Sequence, residues 1–367
     1  MAIKRSLVLM FILGFVFTGQ ARASDANLSL LSLPDGFDIE IWAEVPGARS
    51  LAVTNDGTTV YVGTRDNRVY RIRDEDQDRQ ADTVSVFARN LNVPNGIALD
   101  REGRLYIAEQ HQISRFDREG RQEVVVPPGL LPDRRHHGWR YIGVSPDGAL
   151  YVSVGAPCNI CKVKGVEGTI LKFETATFNS EIFAEGVRNS VGFDWHPKTG
   201  ELFFTDNGGD NLGDDIPPDE LNHAPAAGQH FGYPFEYDTE QAYPQFKDHE
   251  NTVTFQPPVL RFGAHVAALG IDFYSGAMFP DQYRQSAIVA QHGSWNRSEP
   301  VGYRLLTVVF EDGKPVSKSV LVEGWLQRDG EVLGRPVDIA ELPDGSLLVS
   351  DDHADVIYRI TYSNNQK

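Results

Sequence analysis

The sequence predicts an all-β fold, a six-bladed β-propeller whose N-terminal strand closes the last blade. A unit of strand, turn, strand, loop, strand occurs six times. The chain carries 34 Gly and 21 Pro with few helix-like windows, which favours many short strands joined by turns. A segment patterned like an outer strand, Phe37-Asp-Ile-Glu-Ile-Trp-Ala43, stands ahead of all six units. Repeats of four short strands at this spacing are the signature of a propeller.

The units can be taken in order. Arg49–Gly57 leads to Val60-Tyr-Val-Gly and Val69-Tyr-Arg-Ile72; Asn95–Gly103 leads to Leu105-Tyr-Ile-Ala and Ile113-Ser-Arg-Phe116. Arg140–Gly148 leads to Leu150-Tyr-Val-Ser and Ile170-Leu-Lys-Phe173. The fourth unit turns at Pro197-Lys-Thr-Gly200 into Leu202-Phe-Phe-Thr205. Leu269–Gly276 leads to Ala287-Ile-Val-Ala and Tyr303-Arg-Leu-Leu306; Val337–Gly345 leads to Leu347-Leu-Val-Ser and Val356-Ile-Tyr-Arg-Ile360. The recurring Asp-Gly turn suits tight hairpins because Gly accepts positive φ. Outer strands follow in most units, as in Val84-Ser-Val-Phe-Ala and Ser180-Glu-Ile-Phe-Ala. Phe37–Ala43 has nowhere to pair except the open edge of the last blade, where it closes the ring.

Residues 1–23 read as a signal peptide, with basic Lys4 and Arg5, an apolar Leu7–Phe17 stretch and an Ala21-Arg22-Ala23 cleavage site. One domain is expected over 24–367, in a periplasmic or secreted product. The formal net charge of −17 disfavours nucleic acid and anionic lipid as partners. The two cysteines form Cys158-Asn-Ile-Cys161. In an exported chain this pair is expected to be a small-loop disulfide. Free thiols or a redox motif are the alternatives, although a redox pair opens a helix and this one sits among Gly, Pro and Asn.

Three stretches lack strand alternation: Ala156–Glu167, Asn207–Tyr237 and His292–Gly302. Each follows the corresponding strand of its unit, so they should converge on one channel mouth, the expected ligand site. A further stretch, Asp74-Glu-Asp-Gln-Asp-Arg-Gln-Ala-Asp82, places aspartates as a calcium loop does, but with Arg79 where such loops favour Gly. A structural calcium and a solvated acidic loop are both open readings.

Glu185-Gly-Val-Arg-Asn-x-x-Gly, Thr205-Asp-Asn-Gly with Pro218-Asp-Glu-Leu-Asn222, His230-Phe-Gly-Tyr-Pro234 and Gln291-His-Gly-Ser-Trp-Asn-Arg297 occur together in this chain. In combination they resemble the sorbosone dehydrogenase-like branch of the soluble quinoprotein sugar (glucose, aldose) dehydrogenases. That resemblance implies pyrroloquinoline quinone and Ca2+ as cofactors and oxidation of an aldose or related sugar aldehyde or hemiacetal by hydride transfer. It implies His137 as general base, although the preceding residue is His136 where glucose dehydrogenases of this fold carry Asp. Arg188, Arg297 and Arg335 become candidates for the cofactor carboxylates, which suit bidentate guanidinium. Asn189 and Asn207 become cofactor contacts, and Gly208 and Gly209 calcium positions through their main chain. Asp219, with Glu220, either lines the substrate pocket or holds the loop, His265 is a further channel candidate assigned to substrate, and Trp295 either stacks on a flat ring or is buried between blades. The implied partners are a small sugar and an electron acceptor.

Two other functions fit the same fold. A calcium-dependent lactonase would use Asn95, Asn189 and Asp338 on the channel axis, and a binding propeller would need no base at all.

Overall fold

The computed structural model describes residues 27–250 and 252–364, so the expected signal peptide lies outside the described residues. Its described part is a six-bladed propeller of antiparallel sheets. Blade one comprises Leu51–Val53, Thr59–Val62, Arg68–Arg73 and Thr83–Arg89. Blade two comprises Gly96–Leu99, Leu105–Ala108, Ile113–Phe116 and Gln122–Val126. Blade three runs Ile142–Val144, Leu150–Val154, Thr169–Phe173 and Ser180–Glu185. Blade five runs Ala268–Phe273, Ala287–Gln291, Arg304–Glu311 and Lys314–Val322.

Blade six closes as the sequence requires. Pro336–Glu341, Leu347–Asp351 and Val356–Tyr362 are joined by the N-terminal Phe37–Glu44, which pairs antiparallel with Val356–Tyr362 from Phe37↔Tyr362 to Glu44↔Val356. The register shifts between Ile41 and Ala43, leaving Trp42 as the extra residue of a bulge. Trp42 is thereby turned into the core between blades six and one, with Val45, Leu51, Val60, Leu348 and Ile357. Its Nε1 donates to the Arg79 carbonyl at 3.0 Å. Phe37 meets Phe279, Tyr283 and Tyr362 edge-on at 4.7, 5.1 and 5.0 Å, tying the closing strand to blade five as well.

Blade four departs from the sequence reading. Phe193–Trp195 and Leu202–Asp206 are followed by Pro218–Ala224, a buried third strand within the stretch expected to be one irregular insertion. Alternation is lost there because both faces of Pro218–Ala224 are covered, so apolar and polar side chains alike are buried. The true loop is short, from Asn207 to Pro217. The chain then leaves the blade, lays Gln229–His230 parallel to Ser180–Glu185 on the edge of blade three, and returns as the outer strand Leu260–Ala264.

The inner strands approach too closely for side chains at their meeting points. A Cβ on Gly192 would lie 2.1 Å from the Leu269 carbonyl oxygen, and one on Gly270 would lie 2.5 Å from Asp338 Oδ1. That approach draws the blades around a narrow axis and brings the loops above it together.

Trp42→Ala is expected to destabilise the protein by about 3–5 kcal/mol, the usual cost of emptying a buried aromatic site. Trp42→Phe, which keeps most of the packing and loses the indole N–H, should cost about 1–2 kcal/mol. Urea unfolding of the two variants checks the difference.

Candidate active site

Two of the three insertions, Asn207–Tyr237 and His292–Gly302, line a cavity of about 640 Å3 at one mouth of the channel, whereas Ala156–Glu167 does not line it and stands behind Arg188, which Asn159 holds. Of the residues singled out from sequence, His137, Arg188, Asn189, Asn207, Gly208, Asp219, His265, Trp295 and Arg335 line the cavity. Arg297 does not. Its guanidinium turns into the loop beside it, donating to the Glu299 carbonyl at 3.0 Å and to the Asp214 carbonyl, so it is not among the cavity's cations. Gly209 is also set back: it is buried behind the wall with its N–H on the Tyr243 hydroxyl at 3.2 Å. Trp295 is not a buried interface ring; it is 70% exposed at the rim.

His137 is buried and adopts φ +47°, an uncommon backbone setting for a non-glycine residue. A carbonyl only accepts, so the 3.0 Å contact between His137 Nδ1 and the Ala156 carbonyl assigns the proton to Nδ1. Ala156 is thus the group that orients this ring where Asp was missing from the sequence. Nε2 keeps its lone pair, with no partner among the described residues. Burial, then the charges of Arg188 and His136, lower the His137 pKa well below its ordinary value, so the imidazole is neutral at neutral pH.

Arg188 is placed by a carboxylate that sequence reasoning passed over. Asp206, at the end of Leu202–Asp206, accepts the Arg188 N–H at 2.7 Å and the Asn189 N–H at 2.6 Å. Blade six repeats the device, with Asp351 accepting the Arg335 N–H at 2.8 Å. This is why the two arginines stand at equivalent depth. Their guanidiniums are used differently. Arg188 donates to the Asn159 carbonyl, Asn159 Oδ1, the Asn207 carbonyl and Asp210 Oδ2, all at 2.8–2.9 Å. A guanidinium has five N–H groups, so one remains. Arg335 donates to the His292 and Gly293 carbonyls at 3.0 and 2.6 Å and keeps three.

Arg65 is the cation that the sequence did not single out. It lines the cavity, lies 4.1 Å over the Trp139 ring, and has no hydrogen bond or ion pair among the described residues. Surrounding protein, with Arg49 nearby, pushes its pKa down to about 9. Its side chain is exposed even so, opening on the cavity. The signal for Arg65 was its place, just past the second strand of blade one, where the other blades carry their site loops. Trp139 also lines the wall, and its buried Nε1–H has no partner.

The disulfide between Cys158 and Cys161 is formed. It closes the loop that presents Asn159, whose carbonyl and amide hold Arg188, and whose Nδ2 donates to the Asp210 carbonyl at 2.9 Å. Asp219 spends its carboxylate on the Gly208 and Ala267 N–H groups at 2.9 and 2.6 Å, so it shapes the loop from within the wall. Asn207 Nδ2 donates to the Asn189 and Ala268 carbonyls at 3.0 and 3.1 Å, which leaves its Oδ1 free. His265 contacts the Gly213 carbonyl through Nε2 at 2.8 Å. His292, also in the wall, is hydrogen-bonded through Nε2 to Asp352 at 2.7 Å, and burial lowers its pKa to about 4. Burial opposes ionisation of Asp352, but the His292 hydrogen bond and the Arg49 charge outweigh it and hold the carboxyl far below the usual range.

Asn95 and Asp338, the other channel candidates, are buried, do not line the cavity and are committed to other partners. Asn95 accepts from Arg49 Nε at 2.6 Å and donates to the Arg140 carbonyl at 2.9 Å. Asp338 accepts the Leu51 N–H at 2.9 Å and the Tyr141 hydroxyl at 3.3 Å.

Comparison with known proteins gives both a family and a fold. A TrAA12-like family model matches residues 219–363, and the model of the SMP-30/Gluconolactonase/LRE-like region matches residues 33–130. An "Uncharacterized protein" of Borreliella burgdorferi is 34% identical over 371 aligned positions, covering 95% of each chain. Among solved structures, the Trichoderma reesei carbohydrate-active enzyme of family AA12 superposes with a TM-score of 0.76 at 21% identity, covering 91% of this chain and 98% of that one. The holo PQQ domain of Coprinopsis cinerea pyranose dehydrogenase gives 0.73 at 18% identity, covering 90% and 97%. The PQQ-bound aldose sugar dehydrogenase of Streptomyces coelicolor gives 0.63 at 18% identity, covering 90% and 100%.

In and behind the wall, burial pushes Asp206 up to about 7, Asp219 to about 6 and Glu220 to about 8, the last with help from the Asp206 charge. The folded state therefore holds protons that the unfolded chain has already released near pH 4. The stability these groups give is present below that pH and is lost as pH rises through about 6–8. The urea midpoint should fall between pH 5 and pH 8.5, and Glu220→Gln should flatten that fall.

Proposed function

Because the chain belongs to one family with the Borreliella burgdorferi protein and shares its propeller with quinone-dependent sugar dehydrogenases, we propose that it is an exported sugar dehydrogenase using pyrroloquinoline quinone. One observation carries the reading: Arg65 and Arg335 face one cavity with guanidinium N–H groups left over and no carboxylate ion pair among the described residues. A wall so built calls for a multiply anionic ligand. The Asn189 amide adds a polar contact, and Trp295 adds a flat apolar face. Such a wall fits a planar tricarboxylate quinone.

In this reading Arg65 and Arg335 hold the carboxylates, and Arg188 contributes its charge and one N–H. When bound, the quinone accepts the hydride and with it the two electrons of the substrate carbon. Calcium would be held at Gly208 through main-chain oxygen and would polarise the quinone, because Asp219 already spends its carboxylate on backbone N–H groups. His137 Nε2 takes the sugar hydroxyl proton while Nδ1–H stays on Ala156, which fixes the ring through the transfer. The burial and positive charge that keep the imidazole neutral also make the imidazolium release its proton readily. Trp295 at the rim offers a face to the sugar ring.

A lactonase is the second reading, favoured by the gluconolactonase-region match over residues 33–130. It requires a metal on the axis held by Asn95, Asn189 and Asp338; Asn189 lines the cavity, but Asn95 and Asp338 are committed elsewhere.

Mixing the apo-protein with quinone and Ca2+ should change the quinone absorbance and yield sugar-dependent dye reduction; hydrolysis of lactones without quinone would instead favour the second reading. Arg65→Gln and Arg335→Gln should each weaken quinone binding about 10–100-fold, the worth of a charge-assisted hydrogen bond. His137→Gln should lower kcat about 10^2–10^4-fold while leaving quinone binding nearly intact. The wild-type rate should be flat through neutral pH and fall only well below pH 6.5, where His137 gains its proton.

A further inference from the structure

The strongest unexplained chemistry outside the channel is on the outer hairpin of blade one, in the loop between Arg68–Arg73 and Thr83–Arg89. Asp74, Asp76 and Asp78 each bring a carboxylate oxygen within 4.8 Å of the others. Acidic clusters on a surface are ordinary, and Asp76 and Asp78 are exposed. Asp74 is different. It is only 3% exposed, and its buried Oδ1 has no hydrogen-bond partner. A buried carboxylate oxygen without a donor carries an uncompensated desolvation cost, which a cation would relieve.

The loop's own cation does not supply that charge. Arg79 turns its guanidinium away toward blade six, with Nε 3.8 Å from Asp344 Oδ2. Counting from Asp74, carboxylates stand at the first, third, fifth and ninth positions, the last being Asp82, and the Gln80 carbonyl falls at the seventh. This is the ligand order of hand-type calcium loops. The sixth position, where such loops take Gly for a sharp turn, is Arg79, and its backbone nevertheless adopts φ +74°. The twelfth position is Ser85 in place of the usual bidentate Glu, which points to a weaker site of the extracellular kind.

We propose that Asp74–Asp82 binds a structural Ca2+ that fastens blade one to the closing blade. The fastening runs through Arg79. Its N–H is held by Asp74 Oδ2 at 3.1 Å, while its carbonyl accepts Trp42 Nε1 at 3.0 Å and an Arg359 N–H at 3.3 Å. Trp42 and Arg359 belong to the two strands whose pairing closes the ring. An ion that orders Asp74 therefore orders the contact across the closure seam. The proposal is independent of the quinone reading and of any ion at Gly208.

The test uses chelator-treated full-length protein with no quinone, titrated with CaCl2 and compared with Asp76→Asn/Asp78→Asn. Both substitutions are on exposed side chains, and an unchanged circular dichroism spectrum checks the fold. Wild type should bind one more Ca2+ than the variant. Calcium should raise the wild-type Tm by roughly 2–5 °C, with little effect on the variant. Equal stoichiometry and an equal Tm response in the two proteins would overturn the proposal. So would an equal rise with MgCl2 in both proteins, which would mark general screening of an acidic chain.

Discussion

Closure of the ring by antiparallel pairing of Phe37–Glu44 with Val356–Tyr362 is the constraint on which the site depends. The cavity wall takes residues from Arg65 in blade one to Arg335 at the start of blade six, and no short segment could gather them. A propeller without its last hydrogen-bonded seam has an open edge and no fixed axis. The Trp42 bulge at that seam packs the closing strand against blade one, and the calcium proposal concerns the same joint from its outer side.

Within the closed ring, the site is built largely by backbone hydrogen bonds to carboxylates. Asp206 and Asp351 set the depth of Arg188 and Arg335 by accepting their main-chain N–H groups, and Asp219 does the same for Gly208 and Ala267. These acids are therefore part of the scaffold, and their charge is not presented to a ligand. The positive side of the site is also divided. Arg188 is nearly saturated by the disulfide-closed loop and Asp210, whereas Arg65 and Arg335 keep donors to spare. An acidic chain thus presents a locally cationic cavity.

The neutral imidazole of His137 follows from the same arrangement. Burial and the neighbouring positive charges disfavour its protonation, and the Ala156 carbonyl holds its tautomer without a carboxylate. The environment that would bind an anionic cofactor is thus also the one that keeps this imidazole unprotonated.

By itself the sequence determined the number of blades, the closing strand, the Cys158–Cys161 pair and the meeting of two of its three expected loops at one mouth. Those features are local or periodic: strand alternation, Asp-Gly turns and a repeat can be read along a chain. It also drew attention to His137, Arg188 and Arg335, through their positions ahead of first strands and through the motifs that resemble the quinoprotein family. Only the tertiary structure decided which side chains are free. Arg297 and Arg335 look alike as residues, yet one turns onto the Glu299 and Asp214 carbonyls and the other faces the cavity. Arg65 bore no motif, and Pro218–Ala224 hid as a loop because a strand buried on both faces has no alternation. Whether a donor is spent or spare depends on partners far away in the chain. A linear pattern shows where a residue stands along the chain, but not what it touches.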